Sequence, residues 1–135
     1  MNAVRKSLSE EVDVRIDEEG ILRVHIHEGV EIDLELVKNM LSKYRELGLG
    51  PGKEKRLEIM TTDGFASMTK EAREHIAFHG KDYFIAAAVI NSSLAIRLLV
   101  NFYNSVYRHG VPFKLFASEE KALEWLRKFK KKENY

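Results

Sequence analysis

The chain contains 135 residues, a length at which one hydrophobic core forms rather than two. Its 22 basic and 21 acidic side chains leave a net charge of +1, which excludes the overall basicity typical of a dedicated nucleic-acid-binding domain. The absence of cysteine excludes disulfides, thiolate zinc sites and cysteine nucleophiles. With 44% hydrophobic residues, the composition predicts a single soluble domain over 1–135, in which 130–135 are frayed.

No stretch of the sequence has the features of a targeting or membrane segment. The first residues include basic side chains but no long apolar run behind them, so no cleavable signal is predicted. The longest apolar run, Tyr83–Ile90, is far shorter than the about 18 residues of a membrane span. We therefore expect a cytoplasmic protein without a membrane span.

The first third of the chain predicts a hairpin followed by a helix. Apolar residues alternate with polar ones over Val12–Ile16 and again over Ile21–Ile26, and the intervening Glu-Glu-Gly supplies a turn. A helix is predicted to begin after Asp33, which suits the N-cap position, and to end at Gly48.

The rest of the chain alternates strands with helices. The predicted elements are a strand over Arg56–Thr62, a helix capped by Ser67 or Thr69 and reaching about His79, a strand over Tyr83–Ile90, a helix over 91–108, a strand over Val111–Phe116 and a final helix from Ser118. The unbroken apolar strand 83–90 is typical of the middle of a parallel sheet. The order β-β-α-β-α-β-α-β-α predicts an α/β domain, with a mixed, mostly parallel five-stranded sheet and about four helices.

The segment Leu49–Lys53 is compared with a phosphate-binding loop because it contains a Gly-Lys pair. That motif needs glycine where Leu47 stands and serine or threonine where Glu54 stands. It also runs from a strand into a helix, whereas this segment leaves a predicted helix and enters a predicted strand. We interpret it as a connector and predict no cofactor.

Two histidine pairs are candidates for metal ligands. His75 and His79 are four residues apart on one face of a predicted helix, and His25 and His27 are two apart on one face of a strand. Zinc sites take three or four protein ligands, and no carboxylate stands at the spacing of a zinc protease. We predict no metal site and interpret the histidines as polar residues of exposed or half-exposed faces.

A polar site is predicted where the strand over Arg56–Thr62 ends. Asp63 follows that strand, with Ser67 and Thr69 shortly after it, and open α/β sheets bind ligands at the carboxyl ends of their strands. The only support for an enzyme is the set Asp63, Ser67 and His75, and no nucleophile-elbow motif frames Ser67, so no catalytic residue is assigned. The alternative is an Asp-Gly turn that ends the strand.

The predicted helix over 91–108 has more apolar surface than one sheet can cover. Its polar residues form a stripe about 60° wide, whereas apolar residues occupy an arc of about 200°. Packing on a sheet needs a stripe of about 100°, so a neighbouring helix, a partner subunit or an apolar ligand must cover the rest. The residues predicted to form a subunit interface are Ile96, Leu99, Val100, Tyr103 and Tyr107.

Charge is distributed unevenly along the chain. Residues 1–36 hold ten acidic and four basic side chains, and residues 108–132 hold eight basic and three acidic ones. Basic residues near the end of the last helix complement its dipole, and we prefer this interpretation to a nucleic-acid or membrane contact.

The block from Ile85 to Phe129 resembles the C-terminal half of SpoIIAA-like proteins of the STAS/SEC14 superfamily, in which a buried strand, a long apolar helix, a short strand and a helix follow in this order. The matching residues of the last two elements are Pro112, Lys114 and Phe116, then Glu119, Glu120, Ala122, Trp125 and Leu126. The stretch Met68–His75 is also similar to a subgroup of uncharacterised bacterial members. The resemblance spans nearly the whole chain.

This resemblance implies a STAS-like fold and a function through protein contacts. In the anti-sigma-factor antagonists of the superfamily, a partner kinase phosphorylates a serine inside a D-S-S-G-like motif at the start of the second helix. The corresponding region here is 63–69, which holds Ser67 and Thr69 but not the motif. The SEC14 branch binds lipids between sheet and helices, using helices that have no counterpart here.

We therefore expect a non-catalytic, STAS-like regulatory domain that is homodimeric through the helix over 91–108 and binds an unidentified protein partner. The alternative is a domain that binds or senses a small apolar ligand or lipid. No nucleic-acid partner is expected.

Overall fold

Seven strands and three α-helices lie in the part of the chain that the computed structural model describes, residues 11–62, 67–91 and 110–132. The strands are Val12–Ile16 (β1), Leu22–Ile26 (β2), Glu31–Ile32 (β3), Arg56–Thr62 (β4), Ser67–Met68 (β5), Phe84–Ile90 (β6) and Phe113–Phe116 (β7). The helices are Leu34–Glu46 (α1), Lys70–His79 (α2) and Glu119–Lys132 (α3), with a 3₁₀ turn over Gly80–Asp82.

Five of the strands form one mixed sheet in the order β1-β2-β4-β6-β7. β1 and β2 are antiparallel, and every other neighbouring pair is parallel. The predicted mixed, mostly parallel five-stranded sheet of an α/β domain is therefore confirmed. The predicted helix over 91–108 lies outside the described residues, which hold three of the about four helices expected.

The hairpin between β1 and β2 is held by one carboxylate. Oδ1 of Asp17 accepts hydrogen bonds from the backbone N–H groups of Glu19 at 2.8 Å and Ile21 at 3.0 Å. Gly20 completes the turn at a φ of 84°, in the left-handed region that favours glycine. Ile21 belongs to the turn because of this hydrogen bond, and β2 begins one residue later than the sequence predicts.

Two other strands also begin later than predicted, for local reasons. The N–H of Tyr83 donates to the Gly80 carbonyl at 2.9 Å and so closes the 3₁₀ turn, which leaves Phe84 as the first residue of β6. Pro112 has no N–H to give to a ladder, although its carbonyl accepts from Ala87 at 2.9 Å, and β7 begins after it.

A short parallel ribbon, which the sequence does not predict, joins the segments before α1 and α2. β3 pairs with β5, with Glu31 beside Ser67 and Ile32 beside Met68. The prediction that Ser67 could cap the second helix is wrong, because Ser67 lies in this ribbon, and Thr69 is the N-cap.

Helix α1 begins and ends as predicted. Oδ1 of Asp33 accepts a hydrogen bond from the Leu36 N–H at 2.8 Å, which satisfies one of the free N–H groups at the helix start. Gly48 takes a φ of 96° just after the helix, where glycine reverses the chain at no steric cost.

The helices divide the sheet into two faces. On the first, which we call the α1/α2 face, α1 and α2 cover an apolar cluster. Its buried members include Leu22, Val24, Ile26, Val37, Leu41, Tyr44 and Ala72. On the opposite α3 face, α3 covers a second and smaller cluster. Its buried members are Ile21, Leu57, Ile59, Ala86, Ala88, Ala122 and Leu126.

Ion pairs fasten both ends of α3 to the hairpin. At its start, Oε1 of Glu119 accepts from the Arg23 guanidinium at 2.9 Å. About two turns later, Arg127 donates two hydrogen bonds to the Glu19 carboxylate, at 2.8 and 2.9 Å. These contacts join residues 96 and 108 positions apart in the sequence.

Candidate functional site

The predicted polar site at the end of β4 is only partly within the described residues. Asp63 lies outside them. The Ser67 N–H donates to the Val30 carbonyl at 3.2 Å, and the Thr69 hydroxyl accepts from the Ala72 N–H at 3.2 Å. Ser67 and Thr69 therefore lie together at the start of α2, where the Thr69 hydroxyl serves the helix as its cap.

The five predicted interface residues, Ile96, Leu99, Val100, Tyr103 and Tyr107, also lie outside the described residues. The interface thus stays a prediction from the sequence.

The histidine pair of α2 lies on one helix face, as its spacing predicts. The ring centroids of His75 and His79 are 4.3 Å apart. Burial and then the positive charges of His79 and Lys38 lower the pKa of His75, which favours its neutral form. Within residues 11–62, 67–91 and 110–132 no three histidine or acidic side chains converge in a way that could hold a metal ion.

A cleft with a volume of about 260 Å³ opens on the α3 face beside α3. β1, β2 and β4 form its floor, and the first residue of α3 forms one wall. Its polar lining residues are Asp13, Arg15, Arg23, His25, Thr61 and Glu119. The register brings them together, because Asp13 is paired with His25, Arg15 with Arg23, and His25 with Thr61.

A chain of charge-assisted contacts crosses one end of this cleft. Arg23 donates to Asp17 at 2.9 Å and to Glu119 at 2.9 Å, so its guanidinium is shared between two carboxylates. Burial acts to raise the pKa of Asp17, but hydrogen bonds from the Ile21 N–H, Arg23 and the Glu19 N–H together hold this pKa below its usual value. These contacts stabilise the hairpin and the start of α3.

At the other end of the cleft, His25 of β2 and His27, just after β2, bond to neighbouring strands. Nε2 of His27 lies 3.0 Å from a carboxylate oxygen of Asp13, and Nδ1 of His25 is hydrogen-bonded to the Thr61 hydroxyl. The two imidazole rings are arranged edge to face at 5.2 Å. A hydroxyl–imidazole contact is one part of a nucleophilic site, which also requires groups that orient the base and stabilise an oxyanion. We assign it the role of joining β2 to β4.

A buried carboxyl lies on the α1/α2 face. Glu58, in the middle of β4, is 5% exposed, and Tyr44 of α1 is 1% exposed above it. Burial raises the pKa of Glu58 to about 8, and the hydroxyl of Tyr44 opposes part of that rise. Burial, together with the Glu58 charge, raises the pKa of Tyr44 well above its usual value. The two groups therefore face each other, although the Tyr44 hydroxyl does not make a hydrogen bond of good geometry.

Sequence reasoning missed Glu58. In the sequence it stands between Leu57 and Ile59, and such alternation indicates a strand with one face in water. Because β4 is the middle strand of the five, helices cover both of its faces, and the alternating polar position is buried. The signal that could have found it is the prediction of a central strand combined with a glutamate inside it.

Comparisons with known proteins place the chain in a family. The model of the domain of unknown function DUF7793 matches residues 14–130, and the chain belongs to that family. A comparison with curated proteins gives no match. Within the described ranges, no helix combines the length and apolarity needed to cross a membrane.

Two solved structures are similar to the chain. The first is the crystal structure of an uncharacterised protein of the DUF3478 family with a SpoIIAA-like fold, from Shewanella loihica PV-4. It has a TM-score of 0.60 and 13% sequence identity, and the match covers 85% of this chain and 91% of that one. The second is a protein of unknown function from Arthrobacter sp. FB24, with 24% identity over 84% of this chain and 90% of that one; its TM-score of 0.27 supports no statement about fold.

The chain therefore has a SpoIIAA-like fold, as the sequence resemblance predicts. At 13% identity the likeness shows the fold alone.

Proposed function

We propose that this DUF7793 domain is a non-catalytic regulatory domain that acts through protein contacts and works as a homodimer. The observation that carries the proposal is the apolar arc of about 200° predicted for the helix over 91–108, about twice what packing on a sheet uses. The interface consists of Ile96, Leu99, Val100, Tyr103 and Tyr107, which fall within about 100° of that arc.

The strand order supports this proposal. The steps from β2 to β4 and from β4 to β6 run in the same direction along the sheet, and their connecting helices α1 and α2 pack on the same face. The step from β6 to β7 continues in that direction, so the right-handed rule for parallel connections predicts the same face for the segment between them. We therefore expect a helix there to neighbour α2 on one flank, and we propose that a second copy of the chain covers the other.

Light scattering during size-exclusion chromatography tests the dimer. We expect twice the chain mass of 15.6 kDa for the natural protein. Leu99→Glu, which introduces a charge into the apolar arc, should reduce the mass to that of one chain. The matched control is Asn101→Glu in the polar stripe of the same predicted helix, which should leave the dimer intact. A natural protein that is monomeric at high micromolar concentration contradicts the proposal.

The second candidate function is binding of a small apolar ligand or lipid, which the same excess of apolar surface favours. Native mass spectrometry of protein purified from its own host distinguishes the two. A single chain that carries a bound mass supports the ligand, and a ligand-free dimer supports the interaction domain.

The polar site at the end of β4, with Asp63, Ser67 and Thr69, stays a prediction from the sequence. Cytoplasmic location stays a prediction from the sequence.

A further inference from the structure

Among the described residues, Glu58 is the only charged side chain that folding removes from water, with 5% of its surface exposed. Buried carboxyls without a cationic partner are rare, because removal of their charge from water is costly. The same position filled by an apolar residue would avoid this cost. A buried carboxyl at the centre of a sheet thus requires an explanation beyond packing.

Neighbouring strands close Glu58 off on two sides. Its neighbours in the sheet register are Leu22 of β2 and Ala87 of β6, both buried, and β4 pairs in parallel with both strands, with a register shift on the β6 side between Arg56 and Leu57. Above the sheet, Tyr44 of α1 lies over the carboxyl. Among the described elements, α1 is therefore the one that can move away from Glu58 without breaking the sheet.

Few titratable or charged groups lie near the carboxyl in the described elements that pack on it. α1 contributes the Tyr44 hydroxyl, while β2 and β6 contribute apolar residues. Tyr83 and Phe84 contact the Tyr44 ring from its side, and the Tyr83 hydroxyl accepts a hydrogen bond from Arg45 at 2.8 Å.

On β4 itself, Arg56 stands two residues before Glu58. Its guanidinium donates to the Gly20 carbonyl at 2.9 Å and to the Glu54 carboxylate at 3.0 Å. Arg56 thus bonds to the hairpin and to the loop before β4. No cation of the described residues shifts the pKa of Glu58.

We propose that Glu58 and Tyr44 form an internal proton-binding site that couples the docking of α1 on the sheet to pH. In the protonated state, a neutral carboxyl lies beside a neutral hydroxyl, and the two can share a hydrogen bond as α1 settles on the sheet. In the ionised state, one hydroxyl donor cannot replace the lost hydration of a carboxylate. Water then has to enter from the α1 side, and α1 loosens around Tyr44. The proposal does not depend on the homodimer.

The pH at which this happens follows from burial. Because burial raises the pKa of Glu58 to about 8, ionisation occurs just above neutral pH. An ordinary glutamate has a pKa of 4.5, so the unfolded chain has lost this proton well before the folded one does. The contribution of Glu58 to the free energy of unfolding is therefore largest below pH 4.5. It decreases as the pH rises from 4.5 to 8 and stays at the lower level above pH 8.

Two measurements on the full chain test the site. The Glu58 side-chain carboxyl resonance, followed by carbon NMR, should titrate near pH 8 instead of near 4.5. Amide hydrogen exchange, corrected for its intrinsic pH dependence, should accelerate in α1 around Tyr44 as the pH rises from about 4.5 to 8, level off above pH 8, and not accelerate in α3. A carboxyl that titrates near pH 4.5, or exchange that accelerates equally in both helices, overturns the proposal.

Variants separate the site from general effects of pH. Glu58→Gln mimics the protonated carboxyl and cannot ionise. We therefore expect the ratio of the folding equilibrium constants, natural protein over Glu58→Gln, to fall by on the order of 10³-fold from pH 4.5 to 9. The matched control is Glu28→Gln at an exposed turn position, which should keep the pH dependence of the natural protein. Equal pH dependence in Glu58→Gln and the natural protein contradicts the proposal.

If Glu58→Gln does not fold, Tyr44→Phe serves instead. The Tyr44 hydroxyl is the group that opposes the rise in pKa, and its removal should move the carboxyl titration to higher pH. A titration that stays in place or moves to lower pH in Tyr44→Phe contradicts a shared site.

Discussion

On the α1/α2 face the sheet carries the buried carboxyl of Glu58, which lies beneath Tyr44. On the α3 face, by contrast, Arg23 bonds to both Asp17 and Glu119 at the edge of a cleft. The difference follows from coverage. On the α1/α2 face, two helices lie across β2, β4 and β6. On the α3 face, α3 packs on β4, β6 and β7 and leaves β1 and β2 partly open. The same strand can therefore bury a charge on one face and expose polar groups on the other.

The lesson is that the cost of a charged residue depends on the position of its strand in the sheet rather than on the strand's own sequence. On the α3 face, Arg23 has two carboxylate partners and remains in contact with water, an arrangement of modest energy. Glu58 is 5% exposed and lies beside one hydroxyl, so its protonation state affects the free energy of unfolding.

The largest expected effect tests whether the α3 face is packed as firmly as the other. Leu126 of α3 is fully buried and Leu41 of α1 is 3% exposed, so each leucine-to-alanine change should lower the free energy of unfolding by about 2–5 kcal/mol. Urea denaturation measures both. A loss for Leu126→Ala far below that for Leu41→Ala would show that α3 rests loosely on the sheet, and the two faces would then differ in packing as well as in charge.

The second expected effect contrasts the acid and alkaline behaviour of the two faces. Because the pKa of Asp17 is held below its usual value of 3.8, its contribution to stability is present above that pH and is lost as the pH falls below it. Asp17→Asn should lower the free energy of unfolding at pH 7 by about 1–2 kcal/mol, since charge-assisted hydrogen bonds become ordinary ones.

Thermal unfolding from pH 2 to 7 measures this contribution. Asp17→Asn should also lose less stability than the natural protein at low pH. The control is Glu18→Gln in the same turn, whose side chain is exposed. An unchanged acid response in Asp17→Asn would contradict the assigned role of Asp17. Glu58 on the α1/α2 face acts in the opposite sense, because its contribution to stability falls as the pH rises from 4.5 to 8.

The smallest expected effect concerns the start of α2. Thr69→Ala removes the side-chain acceptor for the Ala72 N–H and should cost about 1 kcal/mol, whereas Ser67→Ala, two residues earlier in the ribbon, should cost less. Urea denaturation compares the two variants. A larger loss for Ser67→Ala would mean that Ser67 has a structural role that its backbone hydrogen bond does not explain.

Local signals in the sequence predict much of this fold. The Asp33 cap, the glycine after α1 and the bounds of β4 follow from residue types within one helical turn or one strand. The ribbon of β3 and β5 could not be predicted, because each strand has two residues and its partner is about 36 positions away in the chain. Periodicity is not defined over two residues, and pairing at that distance is decided by where α1 directs the chain.

The candidate sites divide in the same way. The capping role of Thr69 is a local property, and the sequence predicts either Ser67 or Thr69 as the cap. The cleft depends on the register of three strands, which brings Arg15 beside Arg23 and His25 beside Thr61, and Glu58 depends on β4 being the middle strand. These are properties of the assembled sheet, so no pattern along one strand contains them.

The fastening of α3 to the hairpin has a consequence for the order in which the protein folds during synthesis. The Arg127–Glu19 contact spans 108 positions, so the ribosome has produced the hairpin long before the helix that covers its neighbouring strands exists. Until α3 arrives, the apolar residues Ile59, Ala86 and Ala88 on that face have no cover from it. Long-range closure of this kind slows folding, and until α3 is complete the nascent chain exposes apolar residues of this face to aggregation.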